Sequence, residues 1–266
     1  MKIFQLKAKV LAQTKIKGNC WHCELNAPQV ARSSLPGQFI NIRVGDNLDP
    51  FLRRPISIHS ASGTKVSILY EVVGKATEIL TQKKKGDFLD IIGPLGSGFN
   101  CPKLKTQNSK PILVAGGMGV APLIFLAGKL AQIESKKSKV KTLVLIGAKT
   151  KEHLLCVQEF KKFGCAVKIA TDDGSSGFKG RVSDLLRNLL LISDYRFSAI
   201  YACGPKPMLK AVADISNERQ MSAQLSLEEH MSCGIGACLG CVVKTKEGLK
   251  RVCKEGPVFL AKDLIW

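Results

Sequence analysis

Pro111-Ile112-Leu113-Val114-Ala115-Gly116-Gly117-Met118-Gly119-Val120-Ala121-Pro122 is the stretch on which the organisation of this 266-residue chain turns. An apolar run at 111–115 reads as a buried strand, and the residues from 122 to 132 read as a helix. The glycines between them make a turn that lets a dinucleotide lie close to the backbone, although the stretch is not G-x-G-x-x-G. The same rhythm continues downstream. Strands are expected at 142–146, 166–170 and 199–202, with helices at 152–163, 182–190 and 207–216. Strands alternating with helices describe a parallel sheet covered on both faces. Tyr201-Ala202-Cys203-Gly204-Pro205-Lys206-Pro207-Met208 then places a small thiol and a glycine at the carboxyl edge, where ligands of such sheets bind. Gly116, Gly117, Gly119, Cys203 and Gly204 are therefore candidates for a nicotinamide nucleotide site. Cys203 reads equally well as a buried core thiol.

Upstream the pattern is different. Short strands are expected at 3–11, 20–26, 38–44, 55–59, 65–72 and 88–92, divided by Gly, Pro, Asp and Asn clusters, which suggests a small antiparallel barrel. A single helix, 77–82, interrupts it, and the polar, basic stretch 102–110 reads as a linker. Arg53-Arg54-Pro55-Ile56-Ser57-Ile58 lies on one of these strands. An arginine there can bridge a pyrophosphate, proline removes a backbone donor, and a hydroxyl can reach a flavin edge. Tyr70 on the next strand is placed to stack on an isoalloxazine or ribose. Gly74-Lys75-Ala76-Thr77 opens the helix, whose first N–H groups suit a phosphate.

The third motif is Met231-Ser232-Cys233-Gly234-Ile235-Gly236-Ala237-Cys238-Leu239-Gly240-Cys241, followed by Cys253. C-x4-C-x2-C is the spacing of plant-type ferredoxins. Three thiolates within nine residues must wrap one iron pair. Gly234, Gly236 and Gly240 permit that curl and leave amide N–H groups to point at sulfur. Zinc is the alternative, but zinc sites present two separated knuckles of two ligands. Cys253 follows sooner than the fourth cysteine of a plant ferredoxin, so the tail is not a complete ferredoxin domain.

Composition narrows the classes. Apolar residues make up 45% and charged residues 23%, as in an ordinary folded core rather than a disordered chain. No apolar run reaches the 18 residues of a membrane span, and the start lacks the apolar stretch of a secretory signal. Ten cysteines then indicate metal or redox chemistry in a reducing cytoplasm. The net charge of +19 is scattered in short runs such as Lys83-Lys84-Lys85, with no aromatic-interleaved patch, which argues against nucleic acid. It suits a generally basic proteome, or the attraction of anionic nucleotides and an acidic partner. Cys20-Trp21-His22-Cys23 lies on a strand rather than at a helix N-terminus, so it reads as structural. Cys101, Cys156 and Cys165 read as inert, His153 as exposed early in a helix, and His230 as a surface residue. Asp172-Asp173-Gly174 is a turn or a ribose contact.

The three motifs in this order resemble the ferredoxin–NADP reductase superfamily. The tail, with Arg251-Val252-Cys253-Lys254-Glu255-Gly256-Pro257-Val258-Phe259, is similar to the family of electron-transfer subunits of NAD-dependent (type B) dihydroorotate dehydrogenase. The resemblance implies a multi-domain β plus α/β fold: an FAD-binding β-barrel at 1–101, an NAD-binding α/β domain at 102–222 and a small [2Fe–2S] domain at 223–266. It implies FAD contacts from Arg54, Pro55, Ile56, Ser57, Leu69, Tyr70, Glu71, Ala76 and Thr77. Glu71 and Ala76 depart from the arginine and glycine usual there. It implies cluster ligands Cys233, Cys238, Cys241 and Cys253, the first of them an aspartate in the related ferredoxin–NADP transhydrogenases. The implied partner is an FMN-containing catalytic subunit, in a dimer of heterodimers acting in pyrimidine (UMP) biosynthesis, with no nucleic acid and no membrane. Electrons run from that FMN through cluster and FAD to NAD⁺, and no residue of this chain acts as acid or base on dihydroorotate. Another iron–sulfur flavoprotein reductase, of ferredoxin or sulfide type, shares these motifs. A zinc-stabilised basic binding module is the alternative of a different class.

Overall fold

The computed structural model describes residues 2–45, 48–101, 110–134, 142–192 and 197–266, so residues 102–109 of the expected linker lie outside it. The chain forms two compact units. The first comprises Met1–Gly98, Glu228–Val243 and Leu249–Pro257, and the second Phe99–Leu227, Lys244–Gly248 and Val258–Trp266. Compactness thus divides the segment 223–266 between the two units. The cysteine stretch has too few apolar residues to bury a core of its own.

The first unit is a closed barrel of six strands: β1 (Phe4–Lys17), β2 (Cys20–Asn26), β3 (Phe39–Arg43), β4 (Arg54–Ser62), β5 (Lys65–Glu71) and β6 (Phe88–Leu95), in the order β1-β2-β5-β4-β3-β6. Every pair is antiparallel, and closure leaves no edge. Alternation fills the interior: Ile40 faces Ile56, Ile58 faces Ile68, and Ile40, Ile42, Ile58, Val66 and Ile68 are fully buried. Each such side chain contributes about 1.5–3 kcal/mol on leaving water. β1 runs well past residue 11, because Gln13, Thr14 and Lys15 continue to pair with Cys23, His22 and Trp21. Two helices interrupt the barrel where one was expected. α1 (Pro28–Ser33) starts on a helix-compatible proline and buries Val30 and Ala31, but six residues are too few to show a helical period. α2 (Lys75–Thr81) begins directly after Gly74, two residues before its expected start.

The second unit alternates strand and helix as expected. It runs β7 (Lys110–Gly116), α3 (Val120–Glu134), β8 (Leu143–Ala148), α4 (Val157–Lys162), β9 (Ala166–Thr171), β10 (Phe178–Lys179), α5 (Val182–Ile192), β11 (Phe197–Cys203), α6 (Lys206–Glu218) and β12 (Ala223–Ser226). A hairpin, β13 (Val242–Thr245) and β14 (Gly248–Arg251), follows, and then β15 (Val258–Leu260). The sheet order is β10-β9-β8-β7-β11-β12-β15; all pairs are parallel except the last, where β15 runs against β12. The helix expected at 152–163 is shorter. Cys156 takes a left-handed φ of 58°, so α4 starts only at Val157, and His153 ends a separate 3-10 turn, Lys151–His153. His153 is exposed there.

Candidate functional site

The cysteine loop, in the first unit, brings its thiols into two pairs. Cys233 and Cys238 have sulfurs 3.3 Å apart and are half-buried, while Cys241 and Cys253 are each 2% exposed. Within the second pair the Cys253 N–H lies 3.5 Å from Cys241 Sγ. No three of the four sulfurs come within 4.8 Å of one another. A single tetrahedral zinc with Zn–S near 2.3 Å needs all four within about 3.8 Å. Two pairs are what a two-iron cluster asks for, two thiolates to each iron.

Electrostatics agree with that donor set. Burial by itself raises the Cys233 thiol, but the Cys238 and Ile235 N–H groups, the Cys238 thiol and the Ala237 N–H all address its sulfur and bring it down to about 6. Burial and the neighbouring Cys241 thiol push Cys253 up to about 12, so its proton leaves only when a cation takes its place. Gly234 and Gly236, at φ 67° and 84°, supply the left-handed turns that aim the amides inward.

Several residues that motif reading passed over hold this loop. Arg251 donates from Nη1 to the Gly236 carbonyl at 2.7 Å and from Nε to Glu255 Oε2 at 3.0 Å. That guanidinium holds the Glu255 carboxyl down to about 2. Ser97, just past β6, donates its N–H to the Gly256 carbonyl and its hydroxyl to the Lys254 carbonyl at 3.4 Å. Asn41 of β3 donates to the Cys233 carbonyl at 3.2 Å. Arg251 and Glu255 flank Cys253 in sequence and were visible; Asn41 and Ser97 had no local signal at all.

The barrel motif separates its two arginines. Arg53 is committed to Asp90, with 2.7 Å to the carboxylate and 2.9 Å to the carbonyl. Arg54 bonds to the carbonyls of Leu52 and Arg53, and no carboxylate pairs with it among the described residues. Its charge is the one available to a pyrophosphate. Tyr70 is not offered for stacking: it is 3% exposed, and its hydroxyl accepts from Gln13 Nε2 at 2.7 Å. Its place in the period of Val66 and Ile68 turns the ring into the barrel, so a flavin would meet its backbone. Leu69 is buried beside it and Glu71 is exposed at the strand end. Ala76 and Thr77 are buried in the first turn of α2, where Thr77 Oγ1 accepts the N–H groups of Val73 and Gly74 at 3.0 and 3.2 Å. The N–H groups of that first turn have no partner within the helix.

In the second unit the two glycine motifs meet. Cys203 ends β11 opposite Ala115 on β7, so both turns open at the carboxyl edge of adjacent strands. A Cβ on Gly119 would collide with the Cys203 carbonyl, and one on Gly116 would stand 2.6 Å from Met208 Sδ. Gly117 turns through φ 53°. Gly116 and Gly119 thus form a collar too tight for a side chain, while a Cβ on Gly117 would meet open space. Asp173 resolves as a turn residue: its carboxylate accepts the Ser175 N–H at 2.9 Å and hydroxyl at 2.7 Å, which lowers its pKa.

A closed antiparallel barrel, a parallel nucleotide-type sheet and a paired-thiolate loop together define an iron–sulfur oxidoreductase of the ferredoxin–NADP reductase type. Residues 228–265 match the iron–sulfur cluster binding domain of dihydroorotate dehydrogenase B, and 113–214 the oxidoreductase NAD-binding domain. The dihydroorotate dehydrogenase B (NAD(+)) electron transfer subunit of Desulforamulus reducens is 44% identical, with 97% of each chain covered. That of Fusobacterium nucleatum is 41% identical over 97% of this chain and 93% of its own. The structure of an NADH-dependent reduced ferredoxin-NADP oxidoreductase aligns at TM-score 0.83 and 28% identity, covering 97% of this chain and 90% of that one. A ferredoxin-NADP⁺ reductase from Plasmodium falciparum shares the fold at TM-score 0.63 and 19% identity, covering 80% and 89%. The chain belongs to the family of electron transfer subunits of NAD⁺-dependent dihydroorotate dehydrogenase B. No described helix is long and apolar enough to cross a membrane.

Proposed function

We propose that this chain carries electrons from the FMN of a dihydroorotate dehydrogenase catalytic subunit to NAD⁺, in the cytoplasm and in pyrimidine biosynthesis, as half of a dimer of heterodimers. Residues 1–101 hold FAD, residues 102–222 take NAD, and residues 223–266 hold the [2Fe–2S] cluster. Cys233 and Cys238 ligate one iron, Cys241 and Cys253 the other. When bound, FAD supplies the exchange between the hydride of the nicotinamide and the single electrons of the cluster.

What the protein contributes is placement. Arg54 neutralises the pyrophosphate, Pro55, Ile56 and Ser57 line the strand beneath the flavin, and Leu69, Tyr70 and Glu71 offer backbone. Ala76 and Thr77 direct first-turn N–H groups at phosphate. Gly116, Gly117, Gly119, Cys203 and Gly204 let the dinucleotide approach the sheet edge. None of these residues moves a proton on dihydroorotate. None of the ten cysteines, all of them among the described residues, forms a disulfide, which accords with a reducing compartment.

The observation that carries the reading is the split of the four thiols into two pairs around a ring of inward N–H groups. Protein purified without oxygen is expected to be brown, with about two iron and two labile sulfide per chain. It should reduce an artificial dye with NADH on its own. It should reduce NAD⁺ with dihydroorotate only after the FMN-bearing partner is added. Stoichiometric zinc without sulfide overturns the cluster, and dihydroorotate oxidation by the lone chain overturns the partner.

A further inference from the structure

Asn41 sits in the middle of β3 and is 1% exposed. Residues directly opposite in an antiparallel pair share a face. Ile40 opposes Ile56, and both point into the barrel; Asn41 opposes Pro55 and Phe39 opposes Ser57, so these four look outward. Pro55 and Ser57 belong to the flavin motif. Asn41 belongs to the other cofactor: its Nδ2 donates to the Cys233 carbonyl at 3.2 Å, and a Cβ on Gly234 would collide with the same amide. One strand pair therefore carries the flavin motif on β4 and the seat of the first cluster cysteine on β3.

The amide is held at a cost. Asn41 Oδ1 is buried with no hydrogen-bond partner among the described residues. A half-satisfied buried amide costs free energy, which the single bond to the Cys233 carbonyl offsets only in part. What the amide does make is the bond to Cys233, the first cysteine of the loop.

We propose that Asn41 is a positioning residue for one-electron exchange between FAD and the cluster, tying Cys233 to the strand beside the flavin motif. The inference rests on the cofactor placement given above. The step in question takes one electron from FAD, already reduced by hydride from NADH, and turns one ferric ion of the cluster ferrous. Releasing Cys233 lets the cluster shift against that strand and removes outer-shell support from one of its ligands, which alters electron transfer and cluster potential.

The test uses the full chain loaded with both cofactors, comparing the parent with Asn41→Leu and Asn41→Ala. Iron, sulfide and flavin are assayed first. Rapid anaerobic mixing with NADH then follows flavin and cluster reduction separately, and an EPR-monitored titration gives the cluster potential. Asn41→Leu should keep both cofactors and reduce its flavin at the parent rate. Its cluster reduction should slow about tenfold, with an altered EPR signal or potential, and Asn41→Ala should slow likewise. Cluster reduction at the parent rate in both loaded variants overturns the inference. So does failure of both to retain a cluster, which would make Asn41 a structural clamp. A parent protein lacking FAD or the cluster is a separate failure, of the placement itself, and is seen before any rate is measured.

Discussion

Cys233 of the cysteine loop and the pair Cys20 and Cys23 of the barrel carry the same side chain and are shifted in opposite directions, whereas Cys253 of the loop is raised like the barrel pair. Cys20 and Cys23 lie in the wall of the barrel on β2, where burial, reinforced by Glu71 at Cys20 and Glu24 at Cys23, raises both thiols, Cys23 to about 12. Cys233 lies in a loop whose amides converge on its sulfur and hold it near 6. The spacing C-x2-C occurs in both groups, as Cys20–Cys23 and as Cys238–Cys241. What separates them is whether the backbone is free to donate. In a strand every N–H is spent on the ladder, whereas in a glycine-rich loop several remain for sulfur.

The comparison breaks most sharply on substitution. Cys238→Ser should abolish the charge-transfer bands and leave little iron, while Cys23→Ser should retain about two iron per chain. Iron analysis of the two proteins side by side decides it; equal loss would mean that the barrel thiols belong to the site.

A second contrast of like residues lies in the arginines. Arg54→Ala removes a charge-assisted contact of about 1.5–3 kcal/mol, a ten- to hundredfold loss of FAD affinity. Arg53→Ala instead removes the partner of Asp90 and should lower the melting temperature more than flavin affinity. Flavin retention on dilution, measured with melting, separates them.

The glycine collar comes next. Gly119→Ala places a methyl against the Cys203 carbonyl. The resulting overpacking of about 1–3 kcal/mol should weaken NADH binding about tenfold, with the flavin spectrum unchanged. Titration with NADH measures the loss, and parent-like affinity would remove the collar from the nucleotide site.

The smallest effect concerns alkaline stability. Cys23 has a folded pKa near 12, above its ordinary value of 9.0. The folded state therefore binds the extra proton between those values, and stability present below pH 9 should decline as pH rises toward about 12. Denaturant midpoints across that range should fall for the parent and less steeply for Cys23→Ala. A parallel fall would assign the decline to other groups.

Much of this was legible in the residues. The strand–turn–helix rhythm after residue 110 announced a parallel sheet, because buried strands and amphipathic helices have different periods. The cysteine spacing and the two glycine motifs were visible because they are local. α1 was not legible, since Pro28–Ser33 is a single short turn stabilised by burying Val30 and Ala31 against the barrel. Nor was the early stop before α4, which depends on one left-handed residue, Cys156, that carries no glycine to announce it. Tyr70 was misjudged as a stacking residue, because alternation tells that a side chain faces one side but not which side is the interior.

The sequence by itself determined the order of barrel, sheet and cysteine loop, and the spacing of the cysteines and glycines within them. These are properties of period and spacing, settled within ten or twenty residues. Only the tertiary structure decided which arginine has no carboxylate partner among the described residues, how the four thiols pair, and that Asn41 reaches a cysteine far away in the chain. It also decided that 228–243 and 249–257 pack with the barrel while Val258–Leu260 joins the other sheet. Such choices are made by which surfaces remain unburied once the local elements have formed, and no run of neighbouring residues records them.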